Sequence, residues 1–336
     1  MASFFSLGAE DRLGKNNQLL KLKDLINWEA LRPSLKGLHK NETNSQGGQK
    51  AYDAVKMFKA LLLGQWHNLS DPKLEESLRV RLDFMLFTGF ELSEEFPDET
   101  TICRFRNKLI SRKLDKKLFK KINRQLEQLG MQIESSQGAI VDATVIESAG
   151  RPRRMITVSK DREESNETEQ TQVISESVDP DARWLKKGKR FYFGYKGFVR
   201  VSEKIGFIQS LHVTPANKSE VKELGETIAD LAEKKSLYAD KGYASKENDV
   251  LVKKKKLKNR IMLKAARNRP LTHWQKVFNK LISKRRFLVE QGFGTLKRKF
   301  QMNRASYMTR AKVEAQLCFK ATCFNLLKAV NMVEYA

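Results

Sequence analysis

The chain has 336 residues, enough for one large domain together with a smaller one. Hydrophobic residues make up 40% of it, which is sufficient for a packed core, and the net charge of +24 predicts a polyanionic partner. The longest apolar runs, such as residues 60–63 and 84–87, are far too short to span a bilayer. The charge therefore predicts a nucleic acid partner rather than a membrane.

The ends and the cysteines indicate the compartment. The N-terminal residues lack a basic start before an apolar core, so we expect no signal peptide. The three cysteines, Cys103, Cys318 and Cys323, are an odd number without a Cys-x-x-Cys pair. This pattern is typical of buried free thiols in a reducing cytoplasm.

Residues 1–50 are predicted to form an N-terminal arm and linker. An amphipathic stretch covers residues 19–28, and the polar, glycine-containing segment 41–49 predicts a linker. The arm is expected either to pack at the periphery of the protein or to take part in dimerisation or DNA clamping.

Apolar residues at helical spacing predict four helices in residues 51–135. The first centres on residues 55–63, the second begins at Pro72 and runs to about residue 87, the third begins at Asp98, and the fourth covers about residues 113–129. The third is rich in Arg, Thr and Asn, which is compatible with a helix-turn-helix that reads a major groove, although many three-helix bundles share this pattern. Arg104 and Arg106 are the residues expected to contact DNA there.

The pattern changes to strands at Gly138. The apolar run 139–141 predicts a buried strand that ends in Asp142, and residues 236–239 predict a second one that ends in Asp240. A single such Asp is explained by a cap on the following turn. Two strand-end carboxylates that converge instead indicate a site for divalent ions, because a buried carboxylate is costly unless it is paired or bound to metal.

The rest of this half predicts a mixed sheet with helices on its faces. Residues 161–181 hold eight acids and one base, which predicts a solvated acidic loop, or else a segment that shields the basic surface. Residues 190–201 and 206–213 are expected to pair as a hairpin, followed by a helix over 219–235 and a strand at 260–264. His212, on the hairpin, is expected to pack rather than to bind metal. A C-terminal helix over 310–332 is expected to pack its apolar face on the sheet.

Residues 251–300 contain a third carboxylate in a very basic setting. The window holds 17 Lys and Arg and a single acid, Glu290. An ion pair with Arg286 one turn earlier would explain it, but such pairs are weak when exposed. A helix from about residue 272 past Lys297 places these three side chains within a sector of roughly 40° at ~100° per residue. One helix face therefore offers an Arg, a carboxylate and a Lys to phosphates and cations.

Asp142, Asp240 and Glu290 resemble the Asp-Asp-Glu (DDE) triad of insertion-sequence transposases with a ribonuclease-H-like catalytic domain. Arg286, Glu290 and Lys297 match three parts of the Tyr-Arg-Glu-Lys helix signature of the insertion sequence four and five group, and Ser283 stands where that signature has Tyr. Other stretches are similar to the insertion sequence five family, in its order: Leu69-Ser-Asp-Pro-Lys-Leu-Glu, Asp179-Pro-Asp-Ala-Arg-Trp, Phe193-Gly-Tyr-Lys, Tyr238-Ala-Asp-Lys-Gly-Tyr and Val289-Glu-Gln-Gly-Phe-Gly-Thr-Leu-Lys-Arg. The resemblance covers about residues 15–330.

The resemblance implies an α/β fold, with a ribonuclease-H-like mixed-sheet catalytic domain over residues 136–336 and an N-terminal all-α helical domain over residues 51–135. It implies a DNA transposase that binds the terminal inverted repeats of its element, cleaves the ends and joins them to target DNA. Asp142, Asp240 and Glu290 would be both the catalytic residues and the ligands of two Mg²⁺ ions, for which Mn²⁺ can substitute. The expected DNA contacts, besides Arg104 and Arg106, are Arg286, Lys297, Arg298, Lys253, Lys254, Lys255, Lys256, Lys241 and Lys196.

Two alternatives stay open from the sequence. One is a catalytically inactive DNA-binding regulator derived from a transposase, against which the presence of all three acids argues, and the other is a ribonuclease-H-like nuclease without strand transfer. The expected partners are double-stranded DNA and a second copy of the chain in a DNA-dependent homodimer, at the nucleoid of a bacterial cytoplasm. Removal of residues 1–37 is expected to leave a folded, DNA-binding monomer that does not pair ends.

Overall fold

A computed structural model describes residues 4–14, 16–38, 51–150, 156–159, 170–173, 178–266 and 268–333. The predicted linker 41–49 and most of the acidic segment 161–181 lie outside the described residues. Two compact units are present: Met1–Ile133 with Cys318–Ala336, and Glu134–Leu317. Within the described part of the chain, no helix combines the length and the apolar character that a membrane span requires.

The described part of the first unit is helical. Its elements are α1 (Phe4–Leu13), α2 (Gln18–Leu25), a 3-10 turn (Glu29–Leu31), α3 (Arg32–Leu35), α4 (Ala54–His67), α5 (Asp71–Val80), α6 (Leu82–Thr88), α7 (Glu99–Ser111) and α8 (Leu114–Gln128). The side chains of Asn17, Asp53 and Asp98 accept backbone N–H bonds at the starts of α2, α4 and α7. Helix α4 is buried almost all round and forms the centre of the unit. The helices predicted over residues 51–135 are therefore present, except that the second is divided at Arg81, whose backbone is extended.

The N-terminal segment is part of this core. Trp28 is buried and packs edge-on against Phe87, with ring centroids 5.3 Å apart. The other buried apolar side chains of the segment are Leu19, Leu22, Ile26, Leu31, Leu35 and Leu38. This burial argues against the expectation that removal of residues 1–37 leaves a folded protein, because the amphipathic stretch buries its apolar face inside the helical unit.

The second unit contains a mixed sheet. Its elements are β1 (Gly138–Glu147), β2 (Ile156–Ser159), β3 (Gln170–Val173), β4 (Arg183–Lys187), β5 (Arg190–Ser202), β6 (Ile208–Pro215), α9 (Glu220–Thr227), β7 (Ser236–Ala239), α10 (Lys246–Lys254), β8 (Lys258–Ile261) and α11 (His273–Arg298). The main sheet has the order β4-β5-β1-β7-β8, with β6 paired to β5, and β2 and β3 form a separate pair. Strand β1 is antiparallel to β5 and parallel to β7, which is parallel to β8. The predicted mixed sheet is confirmed.

Several elements differ from the sequence prediction. Strand β1 continues five residues past Asp142, because its antiparallel partner β5 pairs with it as far as Glu147. Helix α9 ends at Thr227, well before the predicted residue 235, and β8 begins two residues before the predicted strand. Helix α10 and the edge strand β4 were not predicted, since their many lysines and arginines hide the apolar periodicity. The β2–β3 pair was not predicted either, and β3 corrects the expectation of a loop over residues 161–181, because residues 170–173 pair with β2. The core lies between the sheet and helices α9 and α10, with Val141, Leu237, Leu224 and Val252 among its members.

Helix α12 (Arg310–Val333) passes from one unit into the other at Cys318. From there it packs on the helices of the first unit: Lys320 Nζ donates to Asn68 Oδ1 at 3.0 Å and Asn325 Nδ2 to Asn123 Oδ1 at 2.8 Å. The expectation that its whole apolar face packs on the sheet is therefore wrong, because these buried polar side chains have their partners on other helices. Cys318 and Cys323 are buried thiols outside any disulfide, as predicted, whereas Cys103 is only partly buried, which corrects the expectation that all three are buried.

Arg106 of α7 has a structural role inside the helical unit. It is only 5% exposed, and its guanidinium makes two hydrogen bonds with the carboxylate of Asp71, at 2.6 and 2.7 Å. This pair joins α7 to the first residue of α5. The expected DNA contact of Arg106 is therefore corrected, while Arg104 is exposed on the same helix.

Replacing Arg106 is expected to destabilise the helical unit. Arg106→Ala leaves a partly buried Asp71 without its partner and should lower the free energy of unfolding by about 2–3 kcal/mol. The matched change of the exposed neighbour, Arg104→Ala, should stay within about 0.5 kcal/mol. Chemical denaturation followed by circular dichroism measures both, and equal effects would contradict the structural role.

Removal of residues 1–37 should unfold the helical unit. Truncation strips five or more buried apolar side chains at about 2 kcal/mol each, which approaches the whole stability of a typical domain. The truncated chain should show reduced helical content by circular dichroism. A truncated protein with intact helicity that still bound DNA would instead support the expectation that residues 1–37 are dispensable for folding.

Candidate active site

The register of the sheet places two aspartates side by side. The parallel pairing of β1 with β7 ends at Val141 and Ala239, so that Asp142 and Asp240 are the next residues on neighbouring strands. Neighbouring strands lie about 4.8 Å apart. Both carboxylates therefore lie at the same edge of the parallel part of the sheet, although β1 itself continues.

Helix α11 brings the third acid to this edge. It begins with a capping box between Thr272 and Gln275 and runs to Arg298, as the sequence predicted. Its buried side chains, including Ile282 and Val289, fix the helix on the sheet. This orientation directs Arg286 and, one turn later, Glu290 toward the two aspartates.

Arg286 contacts all three carboxylates. Its Nη2 donates to Asp142 Oδ2 at 2.8 Å, and its Nη1 lies 3.4 Å from Asp240 Oδ1 and 3.8 Å from Glu290 Oε1. Asp142 and Arg286 are largely buried, Asp240 is one-third exposed and Glu290 is more than half exposed. The structure therefore assembles the three predicted acids around one guanidinium group.

The three carboxylates of the site carry more negative charge than Arg286 alone can neutralise. Burial raises the pKa of Asp142 above its usual value, and the opposing effect of Arg286 does not cancel that shift. Arg286 Nε, also buried, finds no hydrogen-bond partner among the described residues. One guanidinium group thus compensates the acids only in part, and three carboxylates are the donor set that hard divalent cations such as Mg²⁺ prefer. The residues present fit such a cation.

The carboxylates are nevertheless spread around the arginine. Ligand atoms of Asp142, Asp240 and Glu290 do not all lie within 4.8 Å of one another. Since Arg286 contacts each of them, its guanidinium and a bound cation would compete for the same oxygens.

Sequence reasoning missed a fourth acid beside the site. Glu220, the first residue of α9, lies 3.6 Å from Lys196 Nζ, which also donates to the carbonyl oxygen of Lys218 at 2.8 Å. A Cβ on Gly242 would lie 2.9 Å from Glu220 Oε2 and 3.8 Å from Asp240 Oδ2, which shows how close the two acids approach. No sequence signal marked Glu220, because an acid in the first turn of a helix is ordinary.

A small cavity of about 140 Å³ adjoins β1 just after Asp142. Three lysines and one acid are the charged residues of its lining, which consists of Ala143, Thr144, Val145, Leu185, Lys186, Lys187, Lys196 and Glu220. Lys297 is half-buried, and burial together with Lys187 lowers its pKa. Of the predicted DNA contacts, Lys196 therefore lines this cavity, and Lys297 is close enough to Lys187, another lining residue, for their charges to interact.

The other predicted DNA contacts are on the surface. Lys241 is exposed directly after Asp240, and Arg298 is exposed at the end of α11. In the lysine tract, Lys253 and Lys254 are exposed. Two of its members have protein partners: Lys255 Nζ donates to Ala229 O at 2.8 Å, and Lys256 Nζ lies 3.1 Å from Glu233 Oε2.

Comparison with known proteins gives two family matches. The family described as "Transposase DDE domain" matches residues 134–326, and the family described as "Transposase domain (DUF772)" matches residues 8–108. A similar curated protein is the transposase for insertion sequence element IS1106 from Neisseria meningitidis serogroup B, 44% identical over 237 residues. That similarity covers 70% of this chain and 80% of the relative. No solved structure matches the chain.

The competition between Arg286 and a cation can be measured without DNA. Arg286→Gln removes the positive charge that holds the three acids and should tighten Mn²⁺ binding by at least about tenfold, or 1.4 kcal/mol. Calorimetric titration with Mn²⁺ tests this. The exposed neighbour supplies the control, since Arg285→Gln should leave the affinity unchanged. Weaker Mn²⁺ binding in the Arg286 variant would show instead that the arginine keeps the carboxylates in place.

Proposed function

The chain belongs to the DDE transposases of insertion sequences, and from this we propose that it binds the terminal inverted repeats of its own element, cleaves the ends and joins them to target DNA. The single observation that carries the proposal is the convergence of Asp142, Asp240 and Glu290 on one guanidinium at the edge of the sheet. The IS1106 relative is named a transposase for an insertion sequence element, which supports the same class of substrate.

Asp142, Asp240 and Glu290 are the residues that would hold two divalent ions, with Mg²⁺ as the natural choice for carboxylate ligands. When bound, such ions supply Lewis acidity at the scissile phosphate. Asp142 lies on the central strand β1 and Asp240 directly follows the neighbouring strand β7, while Glu290 approaches from helix α11. Two ligands are thus fixed by strand pairing, and the third is more than half exposed and adjustable.

The basic residues of the site have separate tasks in this proposal. Arg286 neutralises the acids in the free protein and contacts a phosphate once the acids are otherwise occupied. Lys297 is half-buried beside Lys187, where a phosphate would relieve their mutual repulsion. Lys241, Lys253, Lys254 and Arg298 are exposed and would follow the DNA backbone.

In this proposal, the two domains predicted from the sequence have different functions. The helical residues 51–135 recognise the element's ends through the exposed face of α7, which carries Arg104. The sheet carries the chemistry in a ribonuclease-H-like domain, and the order β4-β5-β1-β7-β8 supports this, with its antiparallel half next to a parallel half. Joining requires two ends at once, so the active complex is a homodimer on DNA.

Conservative substitution of the acids separates chemistry from DNA binding. Asp142→Asn, Asp240→Asn and Glu290→Gln should each reduce cleavage of end DNA in Mg²⁺ by at least about a thousandfold, which corresponds to about 4 kcal/mol. Binding to the same DNA in an electrophoretic shift assay should persist. Asp249→Asn, an exposed acid on α10, is the matched control and should cleave normally. Near-normal cleavage by any of the three variants would remove that residue from the active site.

Strand transfer needs its own assay, because cleavage alone would fit a nuclease. Pre-cut ends with free 3′-hydroxyls are offered to the wild-type protein together with a supercoiled target plasmid. Joined products are expected in Mg²⁺. Cleavage without joining would favour a nuclease, and DNA binding without either reaction would favour an inactive regulator.

A further inference from the structure

A second group of metal-ligand side chains lies outside the active site. It consists of His212 on β6 together with Glu223 and Glu226 on α9. One ligand atom from each residue lies within 4.8 Å of the other two, and in the described part of the chain no other set of three His, Cys, Asp or Glu residues is this close. None of the three is shared with the carboxylates around Arg286.

His212 is built into the protein interior. It is 3% exposed, and its ring stacks on that of Phe198 from the paired strand, with centroids 4.7 Å apart and planes at 5°. The ring plane is therefore fixed by packing, as expected from the sequence, although that expectation set packing against metal binding and the two are compatible here. Its Nε2 points toward α9 and lies 3.3 Å from Glu223 Oε2.

Nε2 of His212 is not satisfied by this neighbour. Glu223 lies within ion-pair distance, but Nε2 makes no hydrogen bond of acceptable geometry with any described residue. A buried polar atom without a partner costs about 1–3 kcal/mol.

The two glutamates approach from one helix face. Glu223 and Glu226 are one turn apart on α9, and Glu223 is mostly buried while Glu226 is exposed. A further carboxylate, that of Glu314 on α12, lies nearby and accepts a hydrogen bond from the N–H of Val213, next to His212. Several carboxylates therefore surround the buried imidazole of His212, and the cluster is accessible to solvent at Glu226.

We propose that His212, Glu223 and Glu226 bind a divalent transition-metal ion of the zinc type. Zinc takes imidazole nitrogen at about 2.0–2.1 Å and carboxylate oxygen at about 2.0–2.2 Å in tetrahedral geometry, which puts two ligand atoms about 3.3–3.4 Å apart. The observed separation of 3.3 Å between Nε2 and Oε2 matches that spacing. Three protein ligands leave one position for water or for Glu314.

The ligand types distinguish this site from the active site. An imidazole ligand favours zinc and other transition metals over Mg²⁺, whereas the three acids around Arg286 are all-oxygen ligands. The ion ties α9 to β6. Because α9 begins with Glu220, which lies against Lys196 and near Asp240, this tie fixes one wall of the active site. The role is structural and does not depend on the proposed reaction.

Zinc binding tests the site in the full chain. The starting protein carries Asp142→Asn and Asp240→Asn, so that the active site no longer contributes, and is stripped with a chelator and dialysed. Competition with a chromophoric chelator, in excess Mg²⁺, should reveal one bound Zn²⁺ per chain. Adding Glu226→Gln, at an exposed position that does not threaten folding, should weaken zinc binding by at least about tenfold. Zinc should also raise the unfolding temperature of the starting protein and not of the Glu226 variant.

Glu233→Gln is the matched control, because it neutralises an exposed glutamate of the same unit outside the cluster and should leave zinc affinity unchanged. Circular dichroism verifies that each variant is folded. Absence of a zinc equivalent in the starting protein, or equal affinity in the Glu226 and Glu233 variants, would overturn the proposal. If the three active-site acids proved unnecessary for cleavage, the zinc proposal would still stand, because zinc is measured with two of these acids already replaced.

Discussion

The parallel pairing of β1 with β7 is the constraint on which the site depends. It brings Asp142 and Asp240 to adjacent positions on neighbouring strands, about 4.8 Å apart. The two carboxylates repel each other at such close quarters, and Asp142 also loses hydration on burial, which raises its pKa. The sheet can hold this pair only beside a positive charge, which Arg286 supplies in the free protein.

Helix α11 supplies this positive charge. Its buried residues Ile282, Val289 and Phe293 pack it in the second unit, and the same packing delivers Arg286 to the aspartates and Glu290 one turn later. Helix α9 closes the other side of the site. Its first residue, Glu220, pairs with Lys196, and its later residues face the imidazole of His212. Strand pairing therefore sets the positions of two acids, and two helices set the charges around them.

Local sequence signals predicted much of this arrangement. The predicted helix starts at Asp98 and at about residue 272 agree with the structure, and short apolar runs marked the strands that lead to the aspartates. Contacts between residues that are far apart in the sequence could not be predicted from these local signals. Arg106 has the spacing of a DNA-reading residue, but its partner Asp71 is 35 positions away. The continuation of β1 beyond Asp142 depends on β5, and the nearness of Glu220 depends on the fold of α9 against β7 and its following turn.

Arg286 also explains why the acids can be assembled before any substrate arrives. A guanidinium group keeps its charge at every physiological pH, so the counter-charge does not vary with conditions. It makes one close hydrogen bond, to Asp142, and two longer contacts, to Asp240 and Glu290. The weakest of these contacts involves the most exposed acid. In the proposed function, an incoming cation would therefore displace Arg286 most easily from Glu290 and least easily from Asp142, where burial makes a compensating charge most valuable.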